Sequence, residues 1–305
     1  MLLANTVYRV SVDDIPNEFN AYMLPEVTFN DSSLDIFENL LDRMPVCAIY
    51  YDSLHQTSSQ LFPLSTALWT SRYFRVLYHC KHLMFISESV RNDFLKVFRY
   101  DDTCGHSAVI PLGADGIKSQ IMENQETANQ FICLSSLHIK KNYKVVLETF
   151  ELRWSRGNQD VLVILGAEGD IDLPTLEKIR LYSNLGRVKW LNAASDAVVA
   201  AELSISKALI FVSEHEGFGL PPLEALRHKI PVIVYSRVPS ICNLPELGQI
   251  RLDRIDIDSL DRALSVFDDS AKAASLKSEI DRLNLPTWND FTSQVQKFVS
   301  NMIVS

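Results

Sequence analysis

Long hydrophobic runs are missing from this chain of 305 residues: none approaches the roughly 18 residues that a membrane-spanning helix needs. The N-terminal stretch MLLANTVYRVSVDD has no basic segment, and its apolar run is too short for a signal peptide. Cysteine is sparse. Cys47, Cys80, Cys104, Cys133 and Cys242 are odd in number and show neither a C-x-x-C pair nor His-pair spacing. That pattern excludes a disulfide framework or a zinc site and points to reduced thiols. Positive charge is also short. With 29 Lys and Arg against 38 Asp and Glu, the formal net charge is −9, so nucleic acid is not an expected partner. The expected location is cytoplasmic, with peripheral contact at the inner face of a membrane. No G-x-S-x-G occurs, which argues against a nucleophilic hydrolase, and GFGLPP lacks the third glycine of a nicotinamide-binding loop.

What is present is ordinary globular composition, 47% hydrophobic and 22% charged, in a chain long enough for two domains. Two short apolar runs, VCAIYYD (46–52) and HLMFIS (82–87), each precede a helical pattern, and SAVIPLGADG (107–116) adds a strand that ends in a glycine-containing loop. The polar stretch that follows, DGIKSQIMENQETANQ, carries no apolar period and reads as a linker. From Phe131 the alternation is regular. The strands FICLSS, VLVILG, RVKWLN, ALIFVS and IPVIVYS are interleaved with helical patterns such as YKVVLETFELRWS and LPTLEKIRLYSN. Continuously apolar strands alternating with helices predict an α/β fold with a parallel sheet covered on both faces. The expected organisation is a first domain over 1–113, a linker over 114–130, a second domain over 131–285 and a C-terminal helix over 286–305.

One stretch stands out, SEHEGFGLPPLEAL at 213–226, which follows the strand ALIFVS. Ligands of parallel sheets bind beyond the C-terminal ends of the strands, and this stretch occupies such an end. Gly217 and Gly219 permit a tight loop, and Pro221 and Pro222 suit a helix start, where their missing N–H groups cost little. Glu224 is expected in the first helical turn, near free N–H groups able to hold a phosphate, with Glu216 in the loop. Both carboxylates can accept hydrogen bonds from sugar hydroxyls. The plainer alternative makes Glu224 a helix cap and Glu216 a solvated loop residue.

Other features have their own alternatives. Asp170-Ile171-Asp172 and Asp256-Ile257-Asp258 are D-x-D sequences that a metal-dependent transferase would use; the first starts a loop and the second resembles a helix cap. Between Arg72 and Arg99 six Arg or Lys stand against two acids, with His79 and His82 among them. Such a segment could rest on anionic lipid headgroups or meet a lipid-linked acceptor, or it could be an ordinary polar helix face. Of the aromatic residues Phe211, Phe218, Trp190 and Trp288, packing is expected for all but Phe218, which lies in the loop.

The stretch around Glu216 and Glu224 resembles the E-x7-E motif of the GT-B retaining glycosyltransferases of family 4 (glycosyl transferases group 1), in their mannosyltransferase-B-like branch. FICLSSLHIKKNYKVVLETF, VLVILGAEG and PVIVYSRVPSICNLPE resemble further family segments in the same order, and the resemblance covers about residues 45–295. It implies a GT-B fold, two Rossmann-like domains facing a cleft, here with a shortened N-terminal domain. It further implies transfer of a hexose, mannose first among the candidates, from a GDP- or UDP-linked sugar to a saccharide or lipid-linked saccharide, in polysaccharide or O-antigen type biosynthesis. No cofactor and no metal are expected. By resemblance Glu216 contacts donor-sugar hydroxyls, and the backbone at Gly217, Phe218, Gly219 and Leu220 meets the sugar and diphosphate. Glu224 binds the ribose, while Lys140 and Lys141, with Ser136 nearby, face the phosphates. Asp52 and His55 are the acceptor-side candidates. The chain departs from the family pattern in placing Ser135 and Ser136 where a glycine is usual, in placing Tyr51 at a histidine position, and in lacking an early glycine-rich loop. A degenerate GT-B protein, one that binds nucleotide sugar or serves as a partner subunit without catalysis, is the alternative from another class.

Overall fold

The computed structural model describes residues 15–26, 31–52, 64–98, 106–117 and 127–304, without the side chains of 17, 18 and 64–70. The chain divides into two units, Met1–Gly113 with Pro286–Ser305, and Ala114–Leu285.

In the first unit the described elements run α1 (Ile15–Glu18), β1 (Tyr22–Leu24), α2 (Asp31–Leu40), β2 (Val46–Tyr50), α3 (Leu64–His79), β3 (His82–Phe85), α4 (Glu88–Phe98) and β4 (His106–Val109). The four strands are parallel in the order β1-β2-β3-β4. Strand β2, VCAIY, is buried at every position, as a strand covered on both faces must be. Tyr50 at its end meets the rings of Phe74, Phe85 and Phe94 edge-on at 4.8–5.9 Å, so helices α3 and α4 and strand β3 share one aromatic core. Helix α2 buries Leu34, Phe37 and Leu40 and turns acids outward. Arg72 of α3 pairs with three of them, Asp31 at 2.7 Å, Glu38 at 2.9 Å, and Asp35. The basic excess of 72–99 is therefore partly neutralised from its first residue. No helix among the described residues is long and apolar enough to cross a membrane.

The second unit runs β5 (Gln130–Leu134), α5 (Tyr143–Ser155), β6 (Val161–Leu165), α6 (Leu173–Asn184), β7 (Val188–Leu191), α7 (Asp196–Ile205), β8 (Leu209–Phe211), α8 (Leu220–Arg227), β9 (Val232–Tyr235), α9 (Pro239–Cys242), β10 (Gln249–Leu252), α10 (Ile257–Ser265) and α11 (Ser270–Glu279). Its six strands are parallel, ordered β10-β9-β8-β5-β6-β7. The core is the expected set of apolar strand residues, with Phe131, Leu162, Ile164 and Ile233 wholly buried, and Phe150 and Leu147 of α5 packed over them. The chain works outward from β5 to β7, returns to the centre at β8, and then works outward on the other side. Right-handed crossovers therefore put α5 and α6 on one face and the helices that follow β7 and β8 on the other, and ligands of such sheets bind at this reversal, in the crevice beyond the ends of β5 and β8. The last helix, α12 (Trp288–Val304), belongs to the first unit and buries Val295 and Met302. Residues 118–126 of the expected linker lie outside the described residues.

Candidate active site

The loop after β5 is shaped by its own polar groups. A 3-10 turn over Ile139–Lys141 follows His138, whose Nδ1 accepts from the Lys140 N–H at 3.3 Å. Asn142 then takes a left-handed conformation, φ 55° and ψ 34°, which asparagine tolerates better than most residues. Its side-chain amide donates to the Val212 carbonyl at 2.9 Å, beyond the end of β8. The Lys140 carbonyl accepts from the Glu214 N–H at 3.2 Å. These two bonds pin the β5 loop to the β8 loop. A ladder of backbone bonds ties the same loop to the one after β6: Ser135 N–H to the Leu165 carbonyl, Leu137 to Ala167 and Ile139 to Asp170, at 2.8–3.0 Å.

On the other side of the crevice, Gly219 stands at φ +86° before α8. A Cβ there would lie 2.6 Å from Val238 Cγ1, so both the angle and the space call for glycine. Ser240 of α9 holds the turn, its Oγ donating to the Gly219 carbonyl at 2.6 Å and its N–H to the Phe218 carbonyl at 2.9 Å. The N–H groups of Phe218, Gly219 and Leu220 have no hydrogen-bond acceptor among the described residues. Three free donors at the positive end of a helix form a place for an anion.

Glu216 and Lys141 meet across the crevice as an ion pair, with side-chain exposures of 13% and 12%. Lys141 Nζ also sits 5.2 Å from the centre of the Phe211 ring. Burial lowers the Lys141 pKa from the usual lysine value, and Glu216 opposes that shift. Glu224 is different. Its carboxyl is half-buried and has no hydrogen bond or ion pair among the described residues. Burial, with Asp196 at the start of α7 as the smaller cause, pushes its pKa up to about 7.

Several expectations need correction. Helix α8 starts at Leu220, so Glu224 is in its second turn and not its first, and the capping position belongs to Gly219. A capping role for Glu224 is thereby removed. Phe218 is 7% exposed and packs; what it offers the crevice is its N–H. Asp172 does not merely begin a loop: it caps α6, its Oδ1 accepting from the Thr175 N–H at 3.0 Å, and Asp256 caps α10 in the same way at 2.8 Å. Both D-x-D sequences thus have a capping role. Ser136 is exposed at the tip of the β5 loop, and Lys140 lies half-buried beside Lys141. In the first unit Asp52 follows the end of β2, the Tyr51 hydroxyl donates to the Pro25 carbonyl at 2.6 Å, and His55 lies outside the described residues. Sequence reasoning missed Asn142 and Ser240. The segments that contain them, IKKN and PSIC, were in view, but what these two polar side chains do depends on strands that are distant in sequence.

Two parallel-sheet units, the second with a strand-order reversal, define a Rossmann-type α/β protein. A sequence model of the family Glycosyl transferases group 1 matches residues 116–283, and the chain belongs to that family. It is 38% identical over 109 residues to the serotype-specific mannosyltransferase WbdA of Escherichia coli, a match covering 35% of this chain and 13% of WbdA. It is 25% identical over 209 residues to the O-antigen chain mannosyltransferase RfbU of Salmonella typhimurium, covering 67% of this chain and 57% of that protein. The chain thus spans a small part of the first relative and little over half of the second. Among solved structures it resembles Anabaena HepE in complex with UDP and glucose (TM-score 0.69, 14% identity, 95% of this chain and 80% of that one). It also resembles TarM (TM-score 0.68, 16% identity, 93% and 55%). The fold is that of the GT-B glycosyltransferases.

The Glu224 carboxyl gives a signed prediction. Its pKa in the folded protein, about 7, lies above the ordinary 4.5, so folding favours the protonated form. The stability this contributes is complete below pH 4.5 and is lost as pH rises to 7. Glu224→Gln stays neutral and escapes that loss. It should melt with wild type at pH 4 and ~3 °C above it at pH 8, a gain on the order of 1 kcal/mol after allowance for the water that still reaches the carboxyl. Scanning calorimetry at the two pH values checks this, and equal melting temperatures at pH 8 would refute it.

Proposed function

We propose that this chain transfers a hexose, mannose, from a nucleotide sugar to a saccharide or lipid-linked saccharide acceptor, with retention of configuration at the sugar. The observation that carries the reading is the Lys141–Glu216 ion pair beyond the ends of β5 and β8, followed in the chain by three free N–H groups at the start of α8 and by Glu224 one turn further on. Each has a complementary part of a nucleotide sugar. Lys141 and the N–H groups of Phe218, Gly219 and Leu220 face the diphosphate, which gains negative charge as its bond to the sugar C1 breaks. Glu216 accepts from sugar hydroxyls while positive charge develops on the ring. Glu224 accepts from the ribose diol, and because a carboxylate does this better than a carboxylic acid, donor affinity should fall as pH drops below about 7. The choice of mannose and of an O-antigen type acceptor is supported by the activities named for WbdA and RfbU. A non-catalytic nucleotide-sugar binder would have little use for a carboxylate at the sugar end of the site.

The test is donor turnover by the full chain. With GDP-mannose the protein should release GDP and, given a mannose-terminated oligosaccharide, extend it by one α-linked mannose. Binding is expected to need no divalent metal, because fixed cations and amides supply the positive field. EDTA should leave the Kd for GDP-mannose unchanged, and a tenfold weakening, ~1.4 kcal/mol, would return a metal to the site. Tight donor binding with neither hydrolysis nor transfer would establish the non-catalytic reading instead.

A further inference from the structure

Without a ligand, Lys141 and Glu216 serve each other. Lys141 has no other acidic partner among the described residues, and Glu216 no other cation. With side-chain exposures of 12% and 13%, neither can turn freely to water. A diphosphate that draws Lys141 to itself therefore leaves the Glu216 carboxylate buried without a countercharge, and such an orphan is costly. A ligand that also brings hydroxyl groups to Glu216 restores what the carboxylate lost. The two parts of the ligand are thus coupled through one ion pair.

We propose that Glu216 is a specificity-determining residue: by holding Lys141, it makes the crevice favour an intact nucleotide sugar over the free nucleoside diphosphate. The inference rests on the donor-site reading above and adds a discrimination that the reading does not require. It also favours product release. Once the sugar has left, the diphosphate no longer offers hydroxyl groups to Glu216, the carboxylate takes Lys141 back, and the spent nucleotide is released.

Titration calorimetry on the full chain with GDP, UDP and GDP-mannose tests this in wild type, Glu216→Gln, Lys141→Met and the double variant. Glu216→Gln should bind the free diphosphate about tenfold tighter than wild type, ~1.4 kcal/mol, and GDP-mannose no tighter. In the Lys141→Met background the same change should give no gain. Unchanged diphosphate affinity in Glu216→Gln overturns the inference. So does a gain that survives the loss of Lys141, because it would then be simple repulsion between Glu216 and phosphate. Should the Gln variant melt early, Glu216→Ala carries the same comparison. If wild type binds none of the three nucleotides, the donor-site reading itself falls, and the inference with it.

Discussion

Glu216→Gln should lower kcat for transfer by about 10²-fold, the scale of losing one preorganised electrostatic contact to a developing charge. The substitution keeps the shape of the side chain and an oxygen that can still accept from Lys141, so the loop should stay in place. What goes is the negative charge, which matters most when the sugar ring becomes cationic. An interaction that strengthens in the transition state shows in kcat, whereas one of uniform strength shows in KM. On the proposed donor-site reading Glu224 serves the ribose and belongs to the second kind, so the two carboxylates should separate in steady-state kinetics. Full kcat in a folded Glu216→Gln variant would remove Glu216 from the chemistry.

Gly166→Ala should cost the second unit ~3 kcal/mol or more, at the upper end of overpacking effects, and lower its melting temperature by ~10 °C. A Cβ at this position would lie 2.0 Å from the Ser135 carbonyl oxygen and 2.4 Å from its carbon. These are backbone atoms and cannot rotate aside. Relief requires the ends of β5 and β6 to part, which stretches the Ser135–Leu165 and Leu137–Ala167 hydrogen bonds of 3.0 and 2.8 Å. The Gly166 carbonyl is itself held from the far side by Trp190 Nε1 at 3.0 Å. Because Lys141 hangs from the same ladder, nucleotide affinity should fall together with stability. Circular dichroism melts and nucleotide titrations check both, and an alanine variant that melts with wild type would show that this approach is not tight.

The family pattern shows glycine at the end of the first donor-domain strand, where this chain has Ser135 and Ser136. The structure places the close approach on the partner strand, at Gly166, and gives the Ser135 hydroxyl a hydrogen bond with the Tyr143 hydroxyl at 2.9 Å. That arrangement could not be read from the sequence, because it depends on which strands are neighbours. The helices with clear periodicity could: Tyr143–Ser155 and Leu173–Asn184 begin and end where their patterns do. Very short elements and elements with little apolar content were missed. Strand β1 has three residues, β10 alternates polar and apolar residues at a sheet edge, and α11 buries no side chain. The motifs singled out Lys141 and Glu216, but the ion pair between them could not be read from the sequence. The Asp172 cap left a signal in D-L-P-T, an Asp followed by Pro and then by a threonine at the third helical position.

The strand order has a consequence for how the protein matures. Lys141 and Glu216 are 75 residues apart, and the strands that carry them become neighbours only when β8 inserts beside β5. Two whole strand–helix excursions, through β6 and β7, come between. Closing so long a loop is entropically unfavourable and slow compared with forming local contacts. On a ribosome, the crevice therefore cannot exist until the chain beyond α8 has emerged, however well the earlier strands are already paired. A nucleotide in the surrounding solution finds nothing to hold during most of synthesis. Its influence would fall on the finished domain, where it would slow unfolding, and not on the steps that assemble it.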